Sequence, residues 1–172
     1  MTWNGYMRSR FAFVAALGLF GVGPYAVDAN PLDVGGMRVA WSHRDGAVTF
    51  DVSAPTTGWV AVGFNDVDSI IGADLVMMRI VDGALEVQNR FVVATGDHRP
   101  VEEIGGVSIV LGVEGELSEG RIGMRVVLDP RGEGSHHYSL APGSEIVLIN
   151  AYSVSPDFQH HSRMRRHVRV RL

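Results

Sequence analysis

Seven histidines stand in a chain of 172 residues, and four of them form two adjacent pairs, His136-His137 and His160-His161. Imidazole is the commonest protein ligand for transition metals and also serves haem iron. Thioether sulfur is the other soft donor on offer, with Met77 and Met78 side by side among seven methionines. There is no cysteine, which excludes disulfides, thiolate zinc sites, iron–sulfur clusters, cysteine nucleophiles and covalent haem attachment. There is no lysine either, so Schiff-base chemistry and a P-loop cation are excluded too. The nucleophile-elbow, zincin, dinucleotide-binding and EF-hand patterns are absent, and no carboxylate pair suggests glycoside hydrolysis. Asp66, Asp68 and Asp74 read as turn formers rather than a calcium loop. What remains is ligand chemistry without a catalytic constellation.

The elements that would position these donors are strands. A net charge of −4 and a pI near 5.9 give no global pull on nucleic acid. Residues 1–29 read as a signal peptide: Arg8 and Arg10 precede an apolar run over 11–22, and Val27-Asp28-Ala29 resembles a small-x-small cleavage site. The expectation is export to a periplasm or the outside, with a mature domain over 30–172 that carries no membrane span. Within it, 37–43 and 47–54 alternate around Asp45-Gly46, and 73–81 and 84–93 flank Asp82-Gly83, both strong hairpin signals. A third hairpin joins 107–113 to 121–128 by a looser turn through Gly115 to Gly120. Residues 58–64 are apolar on both faces, 129–143 is a long Gly- and Pro-rich loop, and 145–153 and 167–172 complete the set. No helical period persists after residue 30. The pattern predicts an all-β, immunoglobulin-like antiparallel sandwich of nine or ten strands.

The order of segments resembles a DOMON domain. The run Gly58-Trp59-Val60-Ala61-Val62-Gly63-Phe64 is followed by Gly72-Ala73-Asp74-Leu75-Val76 and the Asp82-Gly83 hairpin. Later, Ile149-Asn150-Ala151-Tyr152 is similar to the family's W-A-Y strand, and His161-Ser162-Arg163 to its H-x-R element. The resemblance covers residues 37 to 172. It implies an extracytoplasmic β-sandwich of a kind that in many members binds b-type haem and carries single electrons, and in others binds sugars or serves as an interaction module.

That resemblance carries over unevenly. It implies His161 as a haem ligand, with His160 beside it. The family's usual methionine, two positions before G-A-D, is Ile70 here, which cannot ligate iron. Alternation sets Met78 on an apolar face with Val76 and Ile80, and Met77 on a mixed face with Leu75 and Arg79, so Met77 is the better substitute sulfur. His43 and His98 are further imidazoles. Trp59, Val62 and Ile70 are the expected pocket wall. Three functions follow: an exported, non-enzymatic haem b electron-transfer module served by a membrane cytochrome or other redox protein; a haem-free module binding a carbohydrate or small ligand, with Tyr138 or Phe158 for stacking; and a copper site built from the histidine pairs.

Overall fold

A computed structural model describes residues 31–172. The leader and cleavage site expected over 1–29, and the mature start at Asn30, lie outside the described residues. Eleven antiparallel strands form two sheets: β1 (Leu32–Val34), β2 (Met37–Arg44), β3 (Ala47–Ala54), β9 (Arg121–Leu128) and β8 (Val110–Ser118) in one, and β11 (Met164–Arg171), β10 (Glu145–Tyr152), β4 (Val60–Asn65), β5 (Asp74–Val81), β6 (Ala84–Ala94) and β7 (Asp97–Pro100) in the other, each in that spatial order. One short 3-10 turn, Val101–Ile104, follows β7.

The hairpins form where the two-residue signals stand. Asp45-Gly46 and Asp82-Gly83 adopt φ of 52° and 77°, and 51° and 77°. Both central residues are left-handed, as a type I′ turn needs to match the twist of its strands. The third hairpin differs from expectation. Its strand β8 continues to Ser118, paired with Arg121, and the turn is Glu119-Gly120, again with positive φ at both positions. Two strands were not legible as such. β1 has only three residues, and β7 is the polar run Asp97-His98-Arg99-Pro100, which offers no apolar alternation.

Alternation decides what each sheet buries. Met37, Val39, Val48, Phe50 and Val52 of one sheet pack against Val60, Val62, Phe64, Val76 and Met78 of the other. Phe50 and Phe64 meet across the interface with ring centroids 5.3 Å apart. The six-stranded sheet is buried on both faces, because a second apolar cluster covers the side turned away from the sandwich core. Its edges are β7 and β11, and on β11 Arg165, Arg166, Arg169 and Arg171 are exposed. Charge along an edge strand discourages pairing with other chains.

Candidate functional site

Cross-strand partners share a face of a sheet, so the registers define the outer surface of the six-stranded sheet. One row runs Arg165, Ala151, Ala61, Met77, Gln88, and the next runs His167, Ile149, Gly63, Leu75, Arg90. The middle of this face is apolar, and cations stand at both ends of it. A Cβ at Gly63 would lie 2.4 Å from Leu75 Cδ2, so any larger residue here would push the Leu75 side chain aside. Met77 is therefore on the outer face and Met78 in the sandwich core, as period-two alternation requires.

A strap, residues 153–163, lies over this face. Phe158 is 4% exposed and belongs to the outer cluster with Trp59, Leu75 and Met77. The Arg79 guanidinium stands 4.4 Å from the Phe158 ring centroid, donates to the Pro156 carbonyl at 2.7 Å, and pairs with Glu86. Trp59 Nε1 donates to the His160 carbonyl at 3.2 Å. At the strap's root, the Trp59 amide donates to the Ser155 carbonyl and the Ser153 amide to the Trp59 carbonyl. On the far side, Arg90 Nε donates to His98 Nδ1 at 2.7 Å and Arg90 Nη2 to the His98 carbonyl at 2.7 Å. Met77 is only 2% exposed beneath this cover.

The expected site residues separate in an instructive way. Trp59, Met77 and Ile70 gather on the outer face, Ile70 packing against the cluster from its rim. Val62 does not join them. It points into the sandwich core, because it is one residue out of phase with Ala61 and Gly63, so it is no wall of this surface. His161 is exposed, and its ring nitrogens bond nothing among the described residues. His160 and His161 do not point apart as neighbours on an extended strand would. A turn closed by the His160 amide on the Asp157 carbonyl curls the chain, and the two imidazoles stack with centroids 4.4 Å apart. His160 Nδ1 lies 3.0 Å from Ser153 Oγ.

The other donors are engaged elsewhere. His43 bonds the Leu140 carbonyl, and His167 bonds Asp68. Phe158 is covered and offers no stacking surface, while Tyr138 is half-buried against the sandwich core with its hydroxyl 2.9 Å from the Gly72 carbonyl and 3.1 Å from Asn65 Oδ1. Among the described residues no three His, Asp or Glu side chains converge as a metal site. Neither the copper nor the calcium arrangement has its ligands together.

The buried pair Asp74–His137 escaped the sequence reading, in which His136-His137 was a polar loop segment. Both side chains are at most 1% exposed, with Nδ1 2.8 Å from Asp74 Oδ2. His137 Nε2 lies 2.8 Å from the Val107 carbonyl, and Asn89 Nδ2 donates to Asp74 Oδ1 at 2.5 Å. Both imidazole nitrogens face acceptors, so the ring donates to Val107 and shares a second proton with Asp74. The pair and Tyr138 pin the loop 129–144 onto the Gly72-Ala73-Asp74 turn. One signal was available: an acid inside the apolar run Ala73-Asp74-Leu75-Val76 demands a buried partner.

Hydrogen bonding to Asp74 raises the His137 pKa, and burial raises that of Asp74 against the pull of the imidazole. A raised histidine pKa means the folded state holds the proton more tightly than the unfolded chain. This stabilisation is therefore complete below about 6.5 and is lost as pH climbs through the raised value. Thermal melts across pH should show a fall in stability on the alkaline side that is absent in His137→Gln. An identical alkaline slope in the variant would remove the pair as its cause.

Comparison with known proteins agrees with this architecture. The model of the DOMON domain family matches residues 33–152. MOXD1 homolog 2 of Drosophila melanogaster is 31% identical over 77 residues, which cover 45% of this chain and 10% of that protein. The chain thus corresponds to a small part of that curated relative. Two solved structures share the fold at 10% sequence identity. The cytochrome b domain of pyranose dehydrogenase from Coprinopsis cinerea superposes with a TM-score of 0.56, covering 78% of this chain and 75% of its own. The cytochrome domain of Myriococcum thermophilum cellobiose dehydrogenase gives 0.50, covering 77% and 69%.

Proposed function

The chain belongs to the DOMON domain family, and on that premise we propose that it is a non-catalytic redox module carrying a b-type haem on the outer face of its six-stranded sheet. The carrying observation is that face itself: two adjacent apolar rows, Ala61 with Met77 and Gly63 with Leu75, bordered by Arg165, His167 and Arg90, and covered by the strap that bears His160 and His161. A flat, largely apolar dianion suits such a surface. The two fold neighbours named as cytochrome domains support the reading.

The donor set fits haem in chemistry. His161 supplies an exposed imidazole with free ring nitrogens, and Met77 a thioether on the covered face. His161 and Met77 are the residues that would hold haem, and bound haem would supply reversible one-electron transfer. The chain's own residues set the terms of access. Two shallow surface concavities measure about 240 Å³, lined by residues around His43 and Pro142, and about 130 Å³, lined by Asp68, Val147, His167 and Arg169. Both fall below the ~300 Å³ usual for ligand pockets. Phe158 must therefore leave the outer cluster before a ligand as large as haem reaches Met77. Stacking on His160 orients His161, so His160 acts as a positioning residue.

A second reading, a haem-free binding or interaction module of a redox system, is favoured by Ile70 at the family's methionine position and by the closed cover over Met77. Export and a partner such as a membrane cytochrome belong to the proposal as well. Haem titration of wild type and Ile70→Met separates the two readings. Saturable binding by wild type, tightened by Ile70→Met, supports the haem module. Two flat titrations leave the haem-free module.

A further inference from the structure

We propose that β11 is the docking edge for an extended acidic segment of another protein. That segment carries Asp or Glu at every second residue and adds to the six-stranded sheet as a further strand. Residues 163–171 hold five arginines and His167. Elsewhere Arg79, Arg99, Arg125 and Arg131 each pair with a carboxylate. Among the described residues none of Arg163, Arg165, Arg166, Arg169 and Arg171 does, and all five are exposed. Arg166 Nη1 only turns back onto the Arg165 carbonyl at 2.9 Å. Two acids adjoin the strand without neutralising its arginines. Asp68 bonds His167 at 2.7 Å, and Glu145 is the cross-strand partner of Arg171 but forms no ion pair with it.

Strand geometry turns this charge into a pattern. Arg165, His167, Arg169 and Arg171 lie opposite Ala151, Ile149, Val147 and Glu145, so all four share the outer face. Same-face neighbours on a strand recur about every 6.8 Å. β11 ends the sheet and pairs only with β10, so one row of its N–H and C=O groups faces outward. Arginines repel most strands from such an edge. They favour one whose acids recur at the same interval, because opposite charges facing across a strand pair attract. A nucleic acid or an anionic lipid surface neutralises arginine too, yet it offers no second backbone to the outward row. The net charge of −4 also opposes a long polyanion. The chain does not hold the matching strand itself, since residues 1–30 contain one acid, Asp28. A second copy matches poorly: its acidic edge strand β8 offers Glu114 and Glu116, and Glu114 lies 3.6 Å from Arg125. Arg165 shares its row with Ala61 and Met77, so the added strand borders the outer face. That it brings an electron-transfer partner to haem there rests on the reading above, whereas the docking edge itself needs no haem.

The test uses the full chain without haem and two fluorescein-labelled peptides long enough to span β11. One alternates threonine with glutamate, and the other has the same composition with its glutamates in one block. The alternating peptide should bind about tenfold more tightly, with an affinity that falls as salt screens the exposed pairs. Arg169→Gln/Arg171→Gln should weaken it about fivefold, as the loss of two cross-strand pairs implies. Arg38→Gln/Arg44→Gln, which removes exposed charge from β2, should leave it unchanged. Amide exchange along β11 should slow with the alternating peptide bound, while β4 is unaffected. Equal affinity for the two peptides, equal affinity of the two double variants, or unprotected β11 amides overturns strand addition. Tighter binding of oligothymidylate or of phosphatidylserine vesicles overturns a protein partner. Self-association of wild type that Arg169→Gln/Arg171→Gln abolishes overturns it in favour of a second copy. A flat peptide titration by a chain that does take up haem removes the dock and leaves the haem reading standing. Peptide binding by a chain that takes up no haem keeps the dock and removes its electron-transfer role.

Discussion

Replacing His137 by alanine is expected to destabilise the domain by about 3–5 kcal/mol, the usual cost of removing one partner from a buried ion pair. The substitution leaves the Asp74 carboxyl fully buried with only Asn89 to bond it. It also frees the Val107 carbonyl and loosens the loop 129–144 from the sheet. Much of that cost is the stranded acid rather than the lost bond, so the double variant His137→Ala/Asp74→Leu should be less destabilised than the single one. Urea melts of both variants decide the matter. A loss below about 1 kcal/mol in His137→Ala would show that water already reaches the pair.

Gly58→Ala is expected to be the second most damaging single change. A Cβ there would lie 2.4 Å from the Ser153 carbonyl oxygen and 2.7 Å from that of Ser155. These are backbone atoms and cannot swing aside as a side chain can. The strap must move off β4 at its root, losing the reciprocal bonds between Trp59 and residues 153 and 155. Overpacking of this kind costs about 1–3 kcal/mol or more. The same variant should raise amide exchange along the strap beyond any change in the core strands. An unaltered melting temperature with an unaltered exchange pattern would contradict the close packing described.

Sequence reasoning reached the sandwich because the hairpins advertise themselves: Asp-Gly pairs sit between alternating runs, and the strands form where those pairs place them. It failed where local pattern carries no information. β1 is too short for alternation to register, and Asp97-His98-Arg99-Pro100 becomes a strand only because β6 offers it an edge. Alternation set Met77 and Met78 on opposite faces, as the structure has them, whereas Val62 was grouped with Trp59 by proximity in the chain and lies on the other face. The Asp74–His137 pair spans 63 residues, and the Arg90–His98 contact depends on a strand that was not foreseen. Contacts of that range are set by topology rather than by neighbouring residues. The stacking of His160 on His161 followed from a turn that their assumed extended backbone concealed.

Haem held through the strap over the outer face is tested most directly by the absorption spectrum of the haem-titrated protein. Wild type is predicted to give a sharp, low-spin Soret band that shifts on reduction with dithionite. His161→Ala should give a high-spin spectrum or lose haem, because removing a coordinating imidazole loosens a noncovalent cofactor. Indistinguishable spectra for wild type and His161→Ala, with or without bound haem, would contradict the account.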